Sequence, residues 1–337
     1  MNILVAGGAG YIGSHTVVEL LSRGEQVVIV DNLSNSREHV IDRIERITGK
    51  RPGFVKADVR DTGKMNEVFA QYKFDAVIHL AGLKVVGESV EKPIVYYRNN
   101  LESTWVLVDL MSKYKVPSII FSSSATVYGE TDQVPINENA EYHCTNPYGN
   151  TKMINEIFLK DVVTACPDIS AICLRYFNPI GAHESGQIGE DPLDIPNNLM
   201  PYITQVAIGK LERLSIFGDD YPTHDGTGVR DYIHVVDLAK GHLAALDYAE
   251  QNPDLGFLAV NLGTGKGYSV LDLVHTFSEV CGKSIPYQIT ARRPGDVATS
   301  YADPSKAKEL FGWEAEFDLK RMCEDSWRWQ KCCDKFI

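Results

Sequence analysis

The chain has 337 residues, 44% of them apolar and 23% charged, with a formal net charge of −12. That length suits one large or two closely packed domains. The acidity leaves no basic stripe for nucleic acid, though a few arginines in a cleft can still hold an anionic small molecule. No apolar run approaches the ~20 residues of a membrane span, and the opening MNILVAGGAG lacks the basic head and long apolar core of a signal peptide.

Taken in chain order, short apolar runs predict strands at 2–7, 26–32, 53–58, 75–82 and 118–124, then at 170–177 and 257–263. Helical periodicity fills most of the intervals, for example 13–23, 94–114 and 148–164. Apolar strands separated by helices predict an α/β chain, a Rossmann-like doubly wound parallel sheet that binds ligands beyond the carboxyl ends of its strands. From about 180 the pattern loosens. NPIGAHESGQIGEDPLDIPNNLMPY and FGDDYPTHDGTGVRDY are rich in Gly, Pro, Asn and Asp and read as long, functional loops. The expected layout is a nucleotide-binding domain over 1–177, with a return contribution from about 230–262, and a smaller C-terminal α/β substrate domain over 178–337.

The turn AGGAGYIG carries Gly7, Gly8, Gly10 and Gly13, and its Gly-x-Gly-x-x-Gly spacing follows a strand and opens a helix. Small residues let the backbone approach a pyrophosphate, and the helix N-terminus offers free N–H groups and partial positive charge. Asp31, at the end of the next strand, is placed to accept from ribose hydroxyls and to repel a 2′-phosphate. NAD is therefore expected rather than NADP, with Arg37 a mild counter-signal, and Asp58 at the end of the third strand is placed to meet the adenine.

The strand SIIFSSS ends at Ser124, and TNPYGNTK then puts Tyr148 and Lys152 one helical turn apart on one face. Pro147 suits a first turn, and Asn146 or Thr145 can cap it. A free phenol ionises near 10, so moving it to neutrality takes about 4 kcal/mol in favour of the phenolate. One positive charge ~4 Å away supplies roughly that much at an effective dielectric of about 20. The pattern thus predicts Tyr148 as a general base assisted by Lys152, which alone is borderline, with the charge on an oxidised nicotinamide adding to it.

A serine, a tyrosine and a lysine at this spacing behind a dinucleotide turn resemble the extended short-chain dehydrogenase/reductase family. Long runs over residues 1 to about 328 are similar to its UDP-hexose 4-epimerases: AGGAGYIGSHT, HLAGLKVVGESVEKPIVYY, FSSSATVYG, NPYGNTK, LRYFNPIGAH, IPNNLMPYI, GTGVRDYIHVVDLA, NLGTGKGYSV and YADPSKA. Ala6 departs from the threonine often found before the glycines. The resemblance implies interconversion of UDP-galactose and UDP-glucose through a 4-keto sugar on tightly bound NAD. Catalysis would fall to Tyr148, Lys152 and Ser124.

The resemblance also implies cofactor contacts from Gly7, Gly10, Tyr11, Ile12 and Gly13, from Asp31, Asn32, Asn35 and Ser36, and from Asp58 and Val59. Leu80, Ala81, Gly82, Lys84, Asn99 and Phe177 would complete that set with Tyr148 and Lys152. UDP-sugar contacts are implied for Ser124, Thr126, Tyr148, Asn178, Asn198, Leu199, Ser215, Ile216, Phe217, Arg230, Arg293, Asp296 and Ser300. Arg230 and Arg293 are the guanidinium forks suited to a pyrophosphate. Ala125 and Thr126 stand where dehydratases of the superfamily carry acids, which disfavours the alternative of a nucleotide-sugar dehydrogenase or dehydratase. The resemblance further implies that Ser300 lies on the pocket wall near the sugar C2, where a small residue would leave room for an N-acetyl group.

Apolar residues on 94–114 (Ile94, Tyr97, Leu101, Trp105, Val108, Met111) and on 148–164 (Met153, Ile157, Val162) are taken, by the same resemblance, as a homodimer contact. Seven cysteines include Cys323, Cys332 and Cys333 at a spacing that fits no zinc pattern, and nine histidines form no HExxH-like pair. A reducing, cytoplasmic setting and a site without metal are expected.

Overall fold

The computed structural model describes residues 1–131, 133–193, 196, 198–293 and 295–333. The first half alternates strand and helix: β1 (Asn2–Ala6), α1 (Tyr11–Arg23), β2 (Gln26–Asp31), α2 (Val40–Thr48), β3 (Gly53–Lys56), α3 (Thr62–Gln71), β4 (Ala76–His79), α4 (Val86–Glu91), α5 (Pro93–Tyr114), β5 (Ser118–Ser124), α6 (Pro147–Ala165) and β6 (Ser170–Tyr176). The second half is made of shorter pieces: β7 (Asn178–Ile180), α7 (Leu199–Ala207), β8 (Leu214–Phe217), β9 (Val229–Arg230), β10 (Tyr232–His234), α8 (Val235–Gln251), β11 (Phe257–Leu262), β12 (Tyr268–Ser269), α9 (Val270–Cys281), β13 (Tyr287–Thr290), β14 (Thr299–Ser300), α10 (Ser305–Phe311) and α11 (Leu319–Cys332).

Seven strands form one parallel sheet in the order β11-β6-β5-β4-β1-β2-β3. Both faces are covered, so the strands carry runs of consecutive apolar residues rather than an alternating pattern. In β1, Ile3 and Val5 pack into the core beneath α1 and α8, whereas Leu4 and Ala6 pack into the core beneath α3, α5 and α6. The chain leaves β1 for β2 and β3 on one side, then lays β4, β5 and β6 on the other. That reversal opens a crevice between the carboxyl ends of β1 and β4, where ligands of such sheets bind.

The expected return over 230–262 corresponds to α8, which packs on α1, and to β11, which pairs with β6 from Phe257 opposite Ala171 to Leu262 opposite Tyr176. The remaining second half forms three small sheets, β10-β7, β12-β9-β14 and β13-β8, around a core of Met200, Ile203, Leu273, Phe277 and Met322 on α7, α9 and α11. Several central strands stop earlier than the sequence reading placed them. β4, for example, ends at His79, and Leu80 to Gly82 bend into the crevice. The loop read over 178–202 holds β7 and the start of α7.

Three histidines, His15 on α1, His79 on β4 and His242 on α8, are buried. Burial disfavours the charged imidazole and pushes them down to about 3, about 3 and about 4. An unfolded chain takes up protons at these sites as pH falls through ~6.5, while the folded chain does not until far lower. Stability is therefore lost from about pH 6.5 downwards, at about 2 kcal/mol per histidine by pH 5. Urea denaturation at pH 7, 6 and 5 is expected to show that fall, and His15→Gln to make it shallower by one histidine's share.

Candidate active site

The crevice is a cleft of about 620 Å³ that runs from the glycine turn after β1 to Ser300 on β14. At its first end, Gly7 takes a φ of +82°, and a Cβ there would lie 2.6 Å from the Ala81 nitrogen. A Cβ on Gly13 would collide with the Gly7 carbonyl. Glycine at these two positions is what lets α1 start directly against the strand end. Gly10 caps α1 without any side-chain hydrogen bond, so the first-turn N–H groups of Tyr11, Ile12 and Gly13 remain for a ligand. The Tyr11 hydroxyl donates to the Gly181 carbonyl at 2.7 Å, tying this turn to the second half of the chain.

Asp31 is 8% exposed and accepts from the Ala9 and Leu33 N–H groups and from the Ser36 hydroxyl. Asn32 accepts from the Ser34 N–H and donates to Asp58 at 3.3 Å, and Asn35 accepts from the Leu193 N–H at 3.1 Å. Asp58 is held by the Arg60 guanidinium and pushed down to about 2, so it is ionised throughout the working range. Arg37, the residue that argued for a 2′-phosphate, pairs with Asp191 at 3.3 Å. Val59, Leu80, Ala81, Gly82, Lys84 and Asn99 line the same cleft, and Phe177 closes it from β6.

At the other end stand Ser124, Tyr148 and Lys152. The Asn146 side chain accepts from the Gly149 N–H at 2.9 Å and Pro147 occupies the first turn, so α6 begins immediately before Tyr148. Ser124 Oγ accepts from the Thr126 N–H at 3.2 Å and from the Thr126 hydroxyl at 2.9 Å. Lys152 is 5% exposed, and its Nζ donates to the Ser122 carbonyl at 2.5 Å.

The electrostatics differ from the sequence expectation in one respect. Lys152 Nζ lies 5.9 Å from the Tyr148 ring centroid, with its hydrogen bond directed at the strand carbonyl rather than at the phenol. Burial raises the Tyr148 pKa above its ordinary 10, and the only opposing influence is a hydrogen bond with Ser124. Burial also pushes Lys152 down to about 8, partly offset by Cys173 and Glu156. Within the protein, then, the ammonium alone does not make the phenol acidic, because desolvation of the phenolate outweighs it.

Of the remaining positions, Asn178, Asn198, Arg230, Asp296 and Ser300 line the cleft. Arg293 pairs with Asp296 at 2.9 Å and lies 4.8 Å over the exposed Phe217 ring, so these two adjoin the cleft through Asp296. Leu199 packs against the core of the smaller layer, Ile216 is buried within it, and Ser215 accepts from Gln288. These three do not line the cleft, which leaves the Leu199 and Ile216 side chains as packing groups.

Two further polar residues, Glu190 on the cleft wall and Asn100 behind it, support the site. Glu190 accepts from Lys84 at 3.2 Å and from Asn198 at 2.6 Å, joining the two sides of the cleft. Asn100 bonds both the N–H and the carbonyl of Leu83 and reaches the Thr151 hydroxyl at 3.0 Å. A polar residue on the buried face of α5, four positions after Tyr96, was a legible sign for Asn100. Glu190 sits in irregular chain and offered none.

The family described as GDP-mannose 4,6 dehydratase matches residues 4–326. UDP-glucose 4-epimerase of Bacillus subtilis is 58% identical over 98% of this chain and 97% of its own length. The human UDP-glucose 4-epimerase is 53% identical over 98% of this chain and 96% of its own. The chain belongs to the UDP-glucose 4-epimerase family. A crystal structure of the Bifidobacterium longum UDP-glucose 4-epimerase in complex with NAD+ and UDP superposes over the whole of both chains with a TM-score of 0.96 at 51% identity. That of the Stenotrophomonas maltophila epimerase, with bound NAD and formylated UDP-arabinopyranose, does so with a TM-score of 0.97 at 49% identity. Like these epimerases, the chain is a parallel α/β fold. Ala125 to Val127 form a single 3₁₀ turn after β5 that carries no carboxylate, so the acid expected of a dehydratase at 125–126 is absent.

Proposed function

We propose that the chain interconverts UDP-galactose and UDP-glucose through a 4-keto sugar, using one tightly held NAD. The observation that carries this reading is the convergence of Ser124, Tyr148 and Lys152 in the same cleft as the glycine turn, with no acid at 125–126 to divert the reaction to elimination. The donor set suits NAD: uncapped N–H groups at α1 for pyrophosphate, Asp31 and Ser36 for the ribose, and Asp58 and Asn32 nearer the adenine. Lys84, Asn99, Phe177 and Lys152 would hold the nicotinamide half.

Bound NAD supplies the hydride acceptor and donor and, when oxidised, a second positive charge beside the phenol. Tyr148 takes the proton of the sugar 4-hydroxyl and later returns it, with Ser124 sharing the hydrogen bond. Lys152 and the coenzyme charge act together against the desolvation that raises the phenol, which neither does alone. Asn178, Asn198, Arg230 and the Arg293–Asp296–Phe217 group anchor the nucleotide. Remote binding energy thereby keeps the keto sugar in the cleft while it presents its other face. On this reading residues 1–177 and the 230–262 return serve the coenzyme, and the rest of the chain serves the UDP-sugar.

We assign a cytoplasmic setting, supported by the free thiols of Cys144, Cys166, Cys173, Cys281, Cys323 and Cys332; among the described residues no helix is long and apolar enough to cross a membrane. A homodimer is supported by the adjoining faces of α5 and α6. Leu101, Val108 and Met111 are buried within the subunit, but Ile94 is 75% exposed, Trp105 44% and Ile157 46%. Such a contiguous apolar face fits a second copy.

Purified chain given UDP-galactose is expected to yield UDP-glucose without added coenzyme. Tyr148→Phe is expected to lower that turnover by at least 10³-fold while absorbance shows the coenzyme still bound; full turnover by the variant would remove the assigned role. Because Ser300 lines the cleft and is small, the chain is also expected to interconvert the N-acetylglucosamine and N-acetylgalactosamine forms, and Ser300→Tyr to abolish that activity first. Steady-state assays with both substrate pairs check this. Sedimentation at micromolar concentration is expected to give a dimer, and Ile94→Glu to weaken it.

A further inference from the structure

One turn beyond Lys152 on the same face of α6 lies Glu156, fully buried, and the mechanism above makes no use of it. Its carboxylate accepts from the Ser123 hydroxyl in a short hydrogen bond, from Tyr142 at 2.8 Å, and from Arg175 Nη2 at 2.6 Å and Nε at 3.1 Å. Arg175 spends its remaining donors on Tyr128, the Glu138 carbonyl and Tyr142. Ser123 lies between the residue whose carbonyl holds Lys152 and the serine beside Tyr148. Two consecutive β5 residues are thus gripped by two consecutive turns of α6: Ser122 by Lys152 and Ser123 by Glu156.

A buried ion pair is a poor device for stability, because an apolar pair of similar volume often does as well. Its location gives it other work. The titratable groups around Lys152 are Tyr148 and Glu156 on its own helix, Cys173 on β6 and His79 on β4. Burial keeps the Cys173 thiol protonated and holds His79 neutral at working pH. Among these neighbours Glu156 is the carboxylate, and it raises the Lys152 pKa while itself paired with the buried Arg175.

We propose that Glu156 is a positioning residue for the reaction: its grip on Ser123 sets the end of β5 against α6, and its carboxylate fixes the charge balance at Lys152 and so the pH range in which the Tyr148–Lys152 pair works. This rests on the epimerase reading above. Arg175 supplies the counter-charge to the buried carboxylate at 2.6 Å.

The test is the pH profile of kcat for UDP-galactose, measured on the holoenzyme between pH 6 and 9.5. Removing the negative charge with Glu156→Gln makes Lys152 easier to deprotonate and the phenolate easier to form, so both limbs are expected to move to lower pH, by about one unit. The rate at pH 8.5 is then expected to fall about tenfold, with KM within twofold of the parent. Glu156→Asp keeps the charge and loses reach, so kcat should drop evenly at all pH values with the limbs in place. Should Glu156→Gln not fold, Ser123→Ala carries the test of the grip: it leaves the carboxylate and is expected to lower kcat evenly without moving a limb. A Glu156→Gln profile of parental shape, or Ser123→Ala at the parental rate, overturns the proposal. Absence of turnover in the unaltered chain would instead overturn the epimerase reading, so the two failures are told apart.

Discussion

The bond from Lys152 Nζ to the Ser122 carbonyl is where the two halves of the chemistry meet. Ser124 belongs to β5 and Tyr148 to α6, and residues 125–146 separate those elements along the chain. Only a contact that crosses from helix to strand end can set the distance between hydroxyl and phenol. A primary ammonium on a flexible stem makes that contact, and in the proposed mechanism it is also the cation beside the base. The contact comes at a cost in desolvation, which brings Lys152 down to about 8.

Desolvation organises the rest of the site as well. Burial raises the phenol, lowers the ammonium, keeps nearby histidines neutral and makes any unpaired charge expensive. Arg175 and Glu156, both buried, are accordingly paired with each other, and nearer the surface Arg37 pairs with Asp191 and Asp58 with Arg60.

Much of the fold could be read along the chain, because a strand buried on both faces must be apolar throughout and the helices between such strands show their own period. The strand ends were read too long, since the residues that leave β4 towards the cleft are as small and apolar as those inside it. Of the site, the glycine turn, Asp31, and the capped start of α6 were legible, each being set by neighbours within a few positions. The dependence of Tyr148 on its surroundings was not. A one-turn spacing places Lys152 near the ring, yet it says nothing about which acceptor the ammonium chooses or how dry the phenol is.

The sequence by itself determined the seven strands of the large sheet and their order along the chain, the tight turn that brings α1 against β1, and the placing of Tyr148 and Lys152 on one helical face. These follow from local sterics and from hydrophobic period, which act over a few residues. Only the tertiary structure decided the pairings that complete the site: Ser123 with Glu156 across 33 positions, Asn100 with Thr151 across 51, and Lys84 with Glu190 across 106. Such partners depend on which strands become neighbours and how each helix is rotated on the sheet. Those outcomes belong to the packing of the whole chain, and no short stretch of residues encodes them.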